Sequence, residues 1–514
     1  MGEAEAGAFE TDAVESDAPE SDEDATTDPS RDVTASDDDA TTDFTGRRTR
    51  WIVAGVLGAV VLAVVAVVGG EGLRAWLVAA EDDDPPPWSE EDATLDGVDL
   101  ATLHAELLPA AFVASQSPGP EADAHLAAVR EALAGRPDLH DRIDALFAAR
   151  SSQPIADALA AESEGIAAWN QALADAGRPW ALQLPLNPQS RAASLYALSY
   201  WIAADFVVPV GALDVPVRFA SRVDGLNVVE AYMGHANARD EMAFIVVDRI
   251  AATAANDIWP LLDPDATGDL TERERAFAEA VRAEIAATID DRSLQILEDT
   301  AAHRRALIDV SRALDERVAR CGARFSLARI PLRGIAAADL REWRTFAQPA
   351  GGRGCPDLTF DEVDRLEEAS AALRRVPGLR PAVRALTAAM TRPIVVHEAQ
   401  HVADFIAAQT CTGCPDWLGE SGANELSAYA STIASGTLPA TSMFSACALL
   451  EGRDSASRRA VLALTHAVLD DGCDGGPGPD LVERAATAQR RWFGLRAAPE
   501  LPEGYPSAVA TRWF

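Results

Sequence analysis

The chain has only eight histidines in 514 residues, and two of them stand four apart with a glutamate directly after the first. They are His397, Glu398 and His401, within RPIVVHEAQHVADF (Arg392–Phe405). On an α-helix, residues four apart are offset by about 40°, so both imidazoles share a face and can reach one ion. Glu398 lies about 60° round from His401, close to that face without competing as a ligand. Imidazole suits zinc, and the adjacent carboxylate can take a proton from a zinc-activated water. Pro393 fits a first helical position, where its missing N–H costs nothing, so the helix is expected to open there.

Such a site needs a third protein ligand. A metzincin would carry Gly three residues after His401 and a third His three beyond; those positions are Asp404 and Ala407, which excludes that class. Downstream, SGANELSAYAST (Ser421–Thr432) presents Glu425 on what reads as a new helix after Gly422, 24 residues beyond His401. Glu420 competes with it, in a stretch between Gly419 and Gly422.

Over residues 392–432 the arrangement resembles the gluzincins, the thermolysin-like branch of the zincin metallopeptidases. The resemblance implies Zn2+ held by His397, His401 and Glu425, Glu398 as the catalytic base, and a peptide or protein substrate. In thermolysin-like enzymes an Asp four residues after the third ligand supports a zinc histidine; here that position is Tyr429. Asp404 can supply the supporting carboxylate instead, or it is a solvated helix charge. Tyr429 and His466 are candidates for stabilising an oxyanion, although a histidine on the apolar helix AVLALTHAVLDD equally reads as a packing residue.

Other chemistries fit less well. Di-iron bundles need Glu-x-x-His twice, and the chain has it once, at Glu398–His401. CTGC (Cys411–Cys414) lacks the strand-to-helix setting of a thioredoxin motif. The alternative outside catalysis is a helical scaffold or binding protein with a degenerate zincin motif.

A second metal-like pattern is DPDATGDLTERE (Asp263–Glu274), which resembles an EF-hand calcium loop. Asp263, Asp265, Thr267, Asp269, Thr271 and Glu274 are its candidate Ca2+ ligands, with Gly268 at the sharp turn. The competing reading is a helix start, with Thr271 and Glu274 forming a capping box.

The elements that must position these residues follow from composition. Formal net charge is −37, which argues against nucleic acid as a partner. All 44 cationic side chains are arginine, so Walker A, Schiff-base and Ser–Lys chemistry are excluded. An Arg-only, Ala-rich composition suggests a GC-rich bacterial genome. Residues 1–46 carry sixteen Asp/Glu against Arg31 alone and read as a disordered acidic tail. Trp51–Gly70 is uncharged over twenty residues, the length that spans a hydrocarbon core of about 30 Å. With Arg47, Arg48 and Arg50 before it, residues 47–70 read as an uncleaved single-pass anchor rather than a cleaved signal. That reading makes the lipid bilayer a partner. It places the protein in a bacterial cytoplasmic (inner) membrane, with the tail inside and the remainder periplasmic or extracellular.

All six cysteines lie beyond residue 70, and an even number suggests disulfides. Proximity favours Cys321–Cys355, Cys411–Cys414 and Cys447–Cys473; a four-cysteine zinc site from the last four is the alternative. After a linker over 71–92, the chain reads as a helical region over 93–380 and a metallopeptidase region over 381–514. Phe277, Val281, Ile285 and Ile289 recur at helical spacing, whereas 205–219 and 324–332 look extended. The expected fold class is therefore mainly α: an α-rich ectodomain with few strands, a single N-terminal transmembrane helix and a zincin-like catalytic region.

Overall fold

Val215, Val217 and Phe219 are buried, whereas Asp214 before them and Pro216 between the first two are exposed, the period-two pattern of a strand with one covered face. The structure, a computed structural model, describes residues 88–115, 119–151, 155–184, 197–224, 233–237, 241–266, 270–320, 359–452, 454–502 and 505. All of them fall within one compact unit, Ala63–Phe514. Five strands form a mixed sheet: β1 (Trp180–Gln183), β2 (Leu198–Val210), β3 (Leu213–Arg222), β4 (Gly234–Asn237) and β5 (Met242–Val246). Their order is β1-β2-β3-β5-β4, with β3 and β5 parallel and the other neighbours antiparallel. The β2–β3 hairpin turns at Gly211, whose φ of +64° is one that L side chains rarely adopt. It realises the extended reading of 205–219; the other extended stretch, 324–332, lies outside the described residues.

Among the described residues the other regular structure is mainly helical, with eleven helices of nine residues or more. In chain order they are α1 (Pro120–Ala132), α2 (Pro137–Ser151), α3 (Ile155–Asp175), α4 (Glu272–Ala286), α5 (Asp291–Arg320) and α6 (Phe360–Arg374). Then come α7 (Leu379–Ile406), α8 (Gly419–Ala434), α9 (Pro439–Cys447), α10 (Ala456–Val468) and α11 (Leu481–Phe493). Phe277, Val281 and Ile285 are the buried stripe of α4, as their spacing implies; Ile289 lies past its end but packs on the same core. That core takes Val217 and Phe219 from the sheet, Leu366 and Leu373 from α6, and Leu386 and Val395 from α7, so it runs continuously across residue 380. Helices α2 and α3 instead close a second core with Trp169, Trp180 and Trp201.

Helix α7 lies against β2–β5 and is buried on nearly every side, from Leu386 through Val402. Pro393 does not open it. It sits mid-helix and buried, where it removes one backbone hydrogen bond. The apolar surface that α7 covers outweighs that local cost, so the helix continues for 28 residues from Gly378, its left-handed N-cap.

The fold class needs one further correction. The protein is helix-rich, but no helix among the described residues is long and apolar enough to cross a membrane. The two longest, α5 and α7, carry charges along their length, such as Arg304 and Arg305 on α5 and Arg380, Arg392 and Glu398 on α7. A spanning helix needs about 20 predominantly apolar residues. The structure therefore does not support the single-pass anchor, the bilayer partner or the inner-membrane placement. Residues 47–70, on which those expectations rested, lie outside the described residues, as does the acidic tail.

Candidate metal centre

His397 and His401 occupy successive turns near the end of α7, and Glu425 lies in the second turn of α8. The two imidazole Nε2 atoms are 3.2 Å apart. Glu425 spans both, with Oε2 3.8 Å from His397 Nε2 and Oε1 3.8 Å from His401 Nε2. Among the described residues these three form the one group of three or more His, Cys, Asp or Glu side chains whose ligand atoms all lie within 4.8 Å of one another. Zinc bonds of about 2.0–2.1 Å place tetrahedral ligands about 3.3 Å apart, so these separations suit one such ion. Two lone pairs at 3.2 Å repel unless a proton or a cation lies between them, which makes the pair a receptor for positive charge.

The surroundings set the charge states. Burial lowers His401 to about 4, and burial followed by the nearby His401 lowers His397 well below its ordinary value. Both rings are thus neutral, the form in which imidazole ligates metal. Burial raises the Glu425 carboxyl, against a hydrogen bond that Ser457 of α10 donates to it. Glu398 is only 6% exposed, and burial followed by the Glu425 charge raises it well above the carboxylate range. A cation between these groups would favour ionised carboxylates and relieve their mutual repulsion.

Glu398 owes its setting to the sheet. A Cβ on Gly234 of β4 would lie 2.8 Å from Glu398 Cγ, so strand and helix approach at this point only because residue 234 has no side chain. Tyr429, one turn after Glu425, packs edge-on against His397 with ring centroids 4.5 Å apart. Asp404 is buried and committed elsewhere: its Oδ1 accepts from Gln400 Nε2 at 2.7 Å and pairs with Arg496 Nη1 at 2.8 Å. His466 is exposed on α10 and stands outside the ligand group. Glu420 is exposed in the first turn of α8, which starts at Gly419 rather than after Gly422.

The calcium-like stretch is organised differently. Thr271 and Glu274 make the reciprocal capping box that starts α4. Asp263 pairs with Arg305 at 3.2 Å and accepts from the Asp265 N–H. Thr267 and Asp269 lie outside the described residues. The cysteines form Cys411–Cys414 and Cys447–Cys473 disulfides, so a four-cysteine zinc site has no free thiolates to draw on. Cys321 and Cys355 lie outside the described residues.

Gly234 adjoins Glu398 and Ser457 bonds Glu425, and neither carries a local sequence signal that links it to residues 397–425. Comparison with family models, with curated proteins and with solved structures finds no match to this chain.

Proposed function

We propose that His397, His401 and Glu425 hold a zinc ion and that the protein is a zinc-dependent hydrolase, with Glu398 as its general base. The observation that supports this reading most directly is the convergence of the three ligand atoms from two helices, with a buried carboxylate next in sequence to the first. When bound, zinc would supply a Lewis acid that polarises a substrate carbonyl and brings the pKa of a water near neutrality. Glu398 takes a proton from the attacking water as its oxygen bonds to the carbonyl carbon. The same carboxyl returns that proton to the leaving nitrogen as the C–N bond breaks. Burial suits Glu398 to this task, because a carboxyl held well above its ordinary range has a greater affinity for the proton that it takes from water. A peptide bond is the proposed substrate on the resemblance of residues 392–432 to the gluzincins.

Elemental analysis of the dialysed protein tests the centre. One zinc per chain is expected, and it should be lost in His397→Ala and His401→Ala. Glu425→Gln should weaken retention, whereas Glu420→Gln should leave metal content at the wild-type level. Glu398→Gln should keep the zinc and abolish hydrolysis of a peptide library. Zinc retained equally in both histidine variants would remove the assignment.

A further inference from the structure

Behind the ligand cluster, buried polar side chains join α7, α8, α11 and the segment that follows α11. On α7, Gln400 precedes His401 and Asp404 follows it by three residues; on α8, Ser427 and Ser431 follow Glu425 by two and six. The helices are tied by two rungs. In the first, Ser431 Oγ donates to Gln400 Oε1 at 2.7 Å, and Gln489 Nε2 of α11 donates to that same Ser431 hydroxyl. In the second, Arg496 Nη1 donates both to Asp404 Oδ1 and to the Ser427 hydroxyl. The rungs are linked, because Gln400 Nε2 also donates to Asp404 Oδ1. The Arg496 guanidinium lies over the Phe493 ring, 4.5 Å from its centroid.

Stability alone does not account for this arrangement. The Asp404 and Arg496 side chains are each 7% exposed. Among the described residues, Asp404 Oδ2 and Arg496 Nε and Nη2 are buried without a hydrogen-bond partner. Removing two charges from water is costly, and an ion pair that leaves donors unfilled recovers little of that cost; apolar residues of similar volume often serve the fold as well or better. What the pair does supply is a tie between α7 and the turn of α8 that carries Ser427, two residues after Glu425.

We propose that Arg496 is a positioning residue for the metal centre. Held by Asp404, it grips Ser427 and sets α8 at the level on α7 where Glu425 reaches both histidines. The inference rests on the zinc reading above and goes beyond it by assigning the ligand geometry to a residue 71 positions after Glu425. Two kinds of tie thus meet at one place: the ion would join the helices through Glu425, and the ion pair joins them through Ser427.

Titration of the full chain with Co2+, followed by the visible absorption of the bound ion, tests this. The double variant Asp404→Leu/Arg496→Met keeps side-chain volume and removes both charges together. Its melting temperature should match or exceed that of the wild type. It should bind Co2+ about ten- to a hundredfold more weakly, the usual cost of removing a residue that supports metal ligands, with an altered band shape. Wild-type affinity and band shape in a folded double variant would overturn the inference while leaving the zinc reading intact. A wild-type chain that binds no Co2+ would overturn both. Should the double variant fail to fold, Ser427→Ala reads the same quantity, because it keeps the ion pair and deletes only the grip on α8. Weakened Co2+ binding in that variant supports the inference, and unchanged binding overturns it.

Discussion

Gly234 shows how much of the site depends on a single absent side chain. A Cβ there would stand 2.8 Å from Glu398 Cγ, 3.1 Å from its Oε1 and 3.1 Å from the Phe244 carbonyl oxygen. Neither neighbour can yield freely, since the carbonyl belongs to the sheet and Glu398 is held in a packed helix. Gly234→Ala should therefore push Glu398 out of place while leaving the three ligands untouched. Overpacking of this kind costs about 1–3 kcal/mol of stability. A shift of the general base should also lower kcat/KM by roughly a hundredfold. Zinc content should stay at one per chain. Hydrolysis at the wild-type rate in Gly234→Ala would show that Glu398 is not the base or has room to move.

Two elements carry their decisive residues in settings that local preference opposes. In α7 it is Pro393, retained mid-helix because the helix is covered by sheet and helices. In the core closed by α2 and α3 it is His104, on a single π-helical turn, fully buried with neither ring nitrogen hydrogen-bonded among the described residues and with Trp169 and Trp180 close by. Burial lowers its pKa from 6.5 to about 3. The unfolded chain thus binds a proton below pH 6.5 that the folded chain refuses until about pH 3. Stability is full above pH 6.5, falls by about 1.4 kcal/mol per pH unit through that window, and loses nothing more from this group below it. His104→Phe fills the same aromatic space without a titrating group. Urea unfolding at pH 7, 5.5 and 4 should show a shallower acid loss in the variant than in the wild type. Equal slopes would mean that His104 gains a proton without unfolding the core.

Among the described residues, the larger core runs continuously from β2 to α11, and two disulfides of very different reach link the chain beside it. Cys447–Cys473 links residues 26 apart, joining the end of α9 to the segment before α11; Cys411–Cys414 spans only three within the α7–α8 connector. In the chain-entropy account, the longer link restrains the unfolded chain by about 3.5 kcal/mol and the shorter by about 2 kcal/mol. Cys447→Ala/Cys473→Ala should consequently lower the melting temperature more than Cys411→Ala/Cys414→Ala, by calorimetry at neutral pH. The shorter link has a different use, because it adjoins Thr412, whose N–H and hydroxyl both donate to the Trp492 carbonyl at the end of α11 and anchor the connector there. A larger loss from the Cys411–Cys414 variant would show that this anchoring, not loop closure, dominates.

What the sequence determined by itself is local. The four-residue spacing of His397 and His401 puts them on one helix face whatever surrounds the helix, because 3.6 residues per turn is a property of the backbone. The same holds for the Thr271–Glu274 capping box and for the alternation that makes 213–219 a strand. The tertiary structure alone decided the rest. The helix of the histidines runs through Pro393, because burial of α7 outweighs one lost hydrogen bond. Asp404 faces Gln400 and Arg496 rather than solvent, and His466 faces solvent rather than the ligand group. Gly234 lies 164 residues before Glu398 and Arg496 lies 92 residues after Asp404, and each reaches that partner through space. Spacing along a chain encodes contacts within one element. Contacts between elements depend on how their faces pack, and a single sequence does not write that down.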